Sequence, residues 1–131
     1  MPRGRIQVLV LEDDEVSAMA ARLMLDKLGC RVDVAANGVE AIEHFGRSEY
    51  DLIFMDWRMP LMDGVEATAR IRMMPRGQVT PIVGTSGARL RSECIAAGMD
   101  DHMPKPFLLE GVRLMLSKWT SWEDPGRNKA G

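Results

Sequence analysis

Two nearly continuous apolar runs constrain this chain most, because each stops abruptly at carboxylates. IQVLVL (residues 6–11) runs into Glu12-Asp13-Asp14, and DLIFM (residues 51–55) runs into Asp56. A strand that is apolar along its length has no face left for water. It must be covered on both sides, as strands are in parallel sheets sandwiched between helices.

The intervening segments supply those helices. In VSAMAARLMLDKL (16–28), Val16, Met19, Ala20, Leu23 and Leu28 recur near helical spacing, and Gly29 follows where a helix C-cap would use it. RVDVA (31–35) alternates polar and apolar residues as a short strand does, Asn37-Gly38 turns the chain, and VEAIEHF reads as a short amphipathic helix. Pro60 and Asp63-Gly64 mark a loop before the helical VEATARIRM, which Pro75 and Gly77 break. TPIVGT (80–85) is a further strand, RSECIAA a short helix stopped by Gly98, DHM a very short strand closed by Lys105-Pro106, and LLEGVRLMLSKW the last helix.

Five βα units result. With right-handed crossovers they predict an α/β fold: a doubly wound, five-stranded parallel sheet of strand order 2-1-3-4-5, a flavodoxin-like three-layer sandwich. The expected organisation is one domain over residues 5–119, with residues 120–131 as a polar C-terminal tail or linker stub carrying Pro and Gly.

Composition narrows the function. The 131 residues suit one domain, with 46% apolar and 27% charged residues. A formal net charge of -2 leaves no basic footprint for nucleic acid. No apolar run approaches the roughly 20 residues of a membrane span. The N-terminus reaches carboxylates after one short strand, too soon for a signal-peptide core, and Cys30 and Cys94 stand alone, without a CxxC or Cys/His cluster. A reducing cytoplasm is therefore expected. The 11 methionines are read as core filler.

In sheets of this kind ligands bind beyond the carboxyl ends of the strands, at the point where the strand order reverses. Strand 1 ends in Glu12-Asp13-Asp14, strand 3 at Asp56, strand 4 in Thr85-Ser86-Gly87 and strand 5 just before Lys105. The predicted order brings these ends to one rim. Like charges about 4 Å apart at an effective dielectric near 20 cost about 4 kcal/mol. A hard divalent cation removes that cost, and Mg²⁺ favours a few carboxylates, water and a phosphate oxygen. Asp56 is the natural nucleophile for an acyl phosphate, Lys105 a compact positive charge for a phosphoryl oxygen, and Ser86 a hydroxyl donor to another. The competing reading of acids at strand ends is helix capping, and Asp14 is expected to cap.

YDLIFMDWRMPLMDGVEATARIR (50–72), LVLEDDEV, AANGVEAIE and AAGMDDHMPKPF resemble, in sequence and spacing, the response-regulator receiver domains of two-component systems and phosphorelays. The likeness covers about residues 5–118 and is closest in flavour to the receivers of hybrid sensor kinases. It implies phosphorylation of Asp56, Mg²⁺ held by Glu12, Asp13, Asp56 and the backbone carbonyl of Arg58, and supporting roles for Lys105 and a switch hydroxyl. Ser86 is favoured for that hydroxyl and Thr85 stays open. The implied partners are a sensor histidine kinase or histidine phosphotransfer protein and a downstream protein. A cis peptide before Pro106 is also implied.

Three departures from the family pattern stand out. His102 takes the place where receivers often carry a Tyr or Phe that swings inward. The stretch from Ser86 to Gly98 looks about three residues short, so the fourth helix is expected to be short. Pro104 precedes Lys105 and removes a backbone donor there. Arg70, Arg72 and Arg76 are read as a solvated face, and Trp119 and Trp122 as hydrophobic docking of the tail. The domain is expected to be a switch and not an enzyme beyond its own phosphorylation and dephosphorylation. An aspartate-nucleophile phosphatase needs a second Asp where Arg58 stands. The remaining alternative is a pseudo-receiver that binds partners without phosphorylation.

Overall fold

The computed structural model describes residues 5–57, 62–87 and 91–124. Strands and helices alternate: β1 (Gln7–Leu11), α1 (Glu15–Lys27), β2 (Arg31–Ala35), α2 (Gly38–Arg47), β3 (Leu52–Asp56), α3 (Gly64–Arg72), β4 (Ile82–Ser86), α4 (Arg91–Ala96), β5 (Asp101–Pro104) and α5 (Leu109–Trp119). All strand pairs are parallel, in the order β2-β1-β3-β4-β5. The predicted sheet and its switch point between β1 and β3 are therefore the observed ones.

Alternation along the strands divides the core in two. Val8, Val10, Leu52, Phe54, Val83 and Met103 pack with Ala21 and Leu25 of α1 and Val112 and Leu116 of α5. Leu9, Leu11, Ile53, Met55 and Ile82 pack on the other side with α2, α3 and α4 through Ala41, Phe45, Ile71 and Cys94. Every residue of β3 is buried, as the DLIFM run requires.

Local chemistry sets the helix ends. The Asp14, Asn37 and Asp63 side chains accept from the backbone N–H groups of Ser17, Glu40 and Glu66, so the expected cap at Asp14 is present. Gly29, just past α1, has φ 85°, the left-handed backbone that glycine tolerates. The described part of α4 is six residues, and the Lys105–Pro106 peptide is cis.

Several expectations change. Val16, Met19 and Leu23 do not face the core: they are exposed, and α1 buries Ala21 and Leu25 instead. The methionines divide. Met55, Met99, Met103 and Met115 are core residues, whereas Met19 and Met73 are exposed.

Arg72 is not part of a solvated face. Its guanidinium donates to the carbonyls of Gly77, Thr80 and Gly98 and pairs with Asp100 at 2.8 Å. It thereby pins the α3–β4 connection to the turn before β5. The chain after α5 packs back on the domain: Trp122 is buried, and its indole N–H donates to the Leu28 carbonyl at 2.9 Å.

Candidate functional site

The β1 and β3 strands are neighbours, with Leu11 in register with Met55, so Glu12 and Asp56 emerge at the same rim. Carboxylate oxygens of Glu12, Asp13 and Asp56 all lie within 4.8 Å of one another. Glu12 and Asp56 are buried, while Asp13 is exposed. The fifth strand carries the chain to Lys105, whose Nζ sits 2.8 Å from Asp56 Oδ2 and 2.8 Å from Glu12 Oε1. Four of the six residues singled out from the sequence therefore converge. Ser86, the fifth, ends β4 one residue beyond Thr85, the register partner of Asp56. Thr85 is buried and Ser86 half-buried. Arg58, the sixth, lies outside the described residues.

The glycine after Asp63 controls how closely α3 approaches this rim. A Cβ on Gly64 would stand 2.1 Å from the carbonyl oxygen of Asp56, and the Gly64 N–H donates to the Trp57 carbonyl at 3.1 Å. The MDG glycine thus lets a helix start directly against the strand end that carries Asp56.

The electrostatics follow from burial. Desolvation raises the Glu12 pKa above its usual value, the nearby Asp56 charge adds to the rise, and Lys105 and the Asp14 backbone N–H oppose it. Burial alone would lower the Lys105 pKa, but its contacts with Asp56 and Glu12 outweigh this and raise it. Among the described residues one ammonium faces three acids, an excess of two negative charges if all three acids are ionised. Glu12 Oε1 is buried and ion-paired, yet no donor among the described residues meets it at a hydrogen-bonding angle. An oxygen-only donor set with such an atom fits a hard divalent cation.

Sequence reasoning missed a second acidic centre. Asp101, at the start of β5, is buried and receives Arg91 Nε at 3.0 Å, the His102 backbone N–H at 2.8 Å, Trp119 Nε1 at 2.9 Å and Lys118 Nζ at 2.8 Å. Burial opposes its ionisation, but these donors together hold its carboxyl well below the usual carboxylate range. An Asp opening a short edge strand was the available signal, but its side-chain donors lie on α4 and α5, beyond the reach of local pattern. His102 is half-buried, with Nε2 3.3 Å from the Ser86 carbonyl oxygen.

Comparison with known proteins agrees with this geometry. The response regulator receiver domain family matches residues 8–117. The aerobic respiration control sensor protein ArcB of Escherichia coli is 35% identical over 127 residues, covering 95% of this chain and 16% of ArcB. This chain thus spans about a sixth of that relative's length. The two-component response regulator ORR41 of rice (Oryza sativa subsp. japonica) is 41% identical over 126 residues, 91% of this chain and 98% of its own. Among solved structures, the receiver domain of the sensor histidine kinase PA1611 of Pseudomonas aeruginosa superposes with a TM-score of 0.82 at 35% identity, over 89% of this chain and 98% of that one. It was crystallised with a magnesium ion coordinated in its active-site cleft. The chain belongs to the response-regulator receiver domains of two-component signalling.

Proposed function

We propose that this receiver accepts a phosphoryl group on Asp56 from phosphohistidine, with Mg²⁺ bound beside it, and that the resulting acyl phosphate changes what the domain binds. The observation that carries this reading is the Lys105 ammonium, 2.8 Å from both Asp56 and Glu12 in a cluster completed by Asp13.

Glu12, Asp13 and Asp56 would hold the metal, with the Arg58 carbonyl as a further oxygen ligand. When bound, Mg²⁺ supplies positive charge for the phosphoryl oxygens. The rest falls to the chain. An Asp56 carboxylate oxygen attacks phosphorus in line as the bond to the donor imidazole breaks, and the imidazole leaves with the electron pair. Lys105 moves from balancing the acids to neutralising a phosphoryl oxygen, and the Ser86 hydroxyl donates to another. Attack by water on phosphorus later returns Asp56 to the carboxylate and releases phosphate. The domain is read as a switch and not as an enzyme acting on other substrates.

The donor is a sensor histidine kinase or a histidine phosphotransfer protein. A relative of known structure, the Ssk1 receiver of Saccharomyces cerevisiae, was crystallised with the phosphotransfer protein Ypd1. Exposed Val16, Met19 and Leu23 follow helical spacing on α1, which starts at the site, and offer the donor an apolar footing. A downstream partner and a cytoplasmic location belong to the same reading; among the described residues no helix is long and apolar enough to cross a membrane. The receiver unit is taken as residues 5–119, with 120–131 as a tail whose first turn is held by Trp122. The pseudo-receiver alternative draws no support from a site in which both acids of β1, the nucleophile and the lysine are all present.

Intact-mass measurement with a small phosphodonor tests the proposal. The chain gains one phosphoryl group with Mg²⁺, and the gain disappears with a chelator or in Asp56→Asn. No gain, or an unchanged gain in Asp56→Asn, overturns it.

A further inference from the structure

We infer that His102 is a positioning residue for Ser86, acting by a hydrogen bond from its ring to the Ser86 main chain. This rests on the phosphoacceptor reading above and adds to it a residue that the chemistry itself does not touch.

The geometry is a diagonal across two parallel strands. His102 is in register with Gly84, so Ser86 lies two residues further toward the site. The Ser86 carbonyl receives the Lys105 backbone N–H at 3.3 Å and lies 3.3 Å from His102 Nε2. A carbonyl oxygen only accepts, so a hydrogen bond here requires the ring proton on Nε2. That oxygen thus has two donors, the main chain of Lys105 just past β5 and the His102 ring within it.

His102 is itself held from behind. Its backbone N–H donates to Asp101 Oδ1 at 2.8 Å, and the same carboxylate binds Arg91 of α4 and Lys118 and Trp119 of α5. A continuous path of hydrogen bonds therefore runs from α4 and α5 through Asp101 and His102 to Ser86. A phenylalanine at 102 would break the path, because its ring carries no donor. A glutamine would keep it, since its side-chain amide places an N–H at similar reach.

The function follows from what Ser86 must do. Its hydroxyl assists phosphoryl transfer only if the strand end is held in register, and the ring bond adds a tether there. One neutral hydrogen bond corresponds to a rate change of about three- to tenfold.

The test uses the full chain and a small phosphodonor with Mg²⁺. His102→Phe is expected to slow Asp56 phosphorylation about three- to tenfold. Its Mg²⁺ affinity, titrated with the metal alone by tryptophan fluorescence, stays unchanged. His102→Gln is expected to stay within about twofold of the parent, well inside the effect of one hydrogen bond. In parallel, NMR of the unphosphorylated chain reads the His102 tautomer and the Ser86 carbonyl shift, which moves in His102→Phe and is restored in His102→Gln. The inference is overturned if His102→Phe phosphorylates like the parent, if His102→Gln is as slow as His102→Phe, or if the ring proton resides on Nδ1. A parent chain that takes no phosphoryl group overturns the phosphoacceptor reading and the positioning role with it. The NMR arm then still decides whether the ring-to-Ser86 bond exists.

Discussion

The Lys105 ammonium donates to Asp56 Oδ2 at 2.8 Å, across 49 residues of sequence. That single contact joins the end of β5 to the end of β3 and places a positive charge against the carboxylate proposed as the phosphoacceptor. Removing it takes away the ammonium that Glu12 and Asp56 share. Lys105→Ala is expected to lower the rate of Asp56 phosphorylation by roughly 10²- to 10³-fold, the usual effect of deleting one preorganised donor to a developing charge. Mg²⁺ binding is retained, because the oxygen ligands remain. Initial rates with a small phosphodonor at saturating Mg²⁺ give the check, and a loss of less than about threefold would place the lysine outside the reaction.

Asp101 makes stability depend on acid. Its folded-state pKa is depressed, so its contribution is present above the unfolded carboxyl value near 4 and is lost as pH falls through the lower folded value. Asp101→Asn is expected to destabilise the domain by about 1–3 kcal/mol at pH 7, because Arg91, Lys118 and Trp119 lose a charged acceptor. The gap between variant and parent narrows as pH is taken from about 4 downward. Urea unfolding followed by circular dichroism at a series of pH values measures it. A gap that is constant with pH contradicts the assignment.

Gly64 ties the fold to the site. A methyl there would collide with backbone, the Asp56 carbonyl at 2.1 Å, and not with a yielding side chain. Gly64→Ala is expected to cost about 1–3 kcal/mol of stability, in the range of overpacked cores, and to slow phosphorylation because the strand end carrying Asp56 must shift. Thermal unfolding and phosphorylation rate are measured on the same sample. A variant that is less stable but phosphorylates at the parent rate would show that α3 does not set the Asp56 position.

Much of this was legible in the sequence because the informative patterns are local. The runs ending at Leu11 and Met55 had to be buried strands, and parallel pairing then placed Glu12, Asp13 and Asp56 together. Lys105 came with the same topology. Less legible were contacts whose partners lie on other elements. Three arginines spaced along α3 and its exit look like a solvated face, yet Arg72 serves three carbonyls and Asp100, a convergence that no period encodes. Asp101 escaped for the same reason. The apolar spacing on α1 was real, but Val16, Met19 and Leu23 line its outer face, and the small Ala21 takes the close approach to the sheet.

The central claim is that the acyl phosphate forms on Asp56 and nowhere else among the clustered acids. Borohydride reduction of the phosphorylated chain, followed by peptide sequencing in the mass spectrometer, tests it most directly, because an aspartyl phosphate is reduced to homoserine. The account predicts homoserine at position 56 alone, dependent on Mg²⁺ and on the phosphodonor. Homoserine at Asp13 or Asp14, or no reduced residue in a chain that has gained phosphoryl mass, would contradict it.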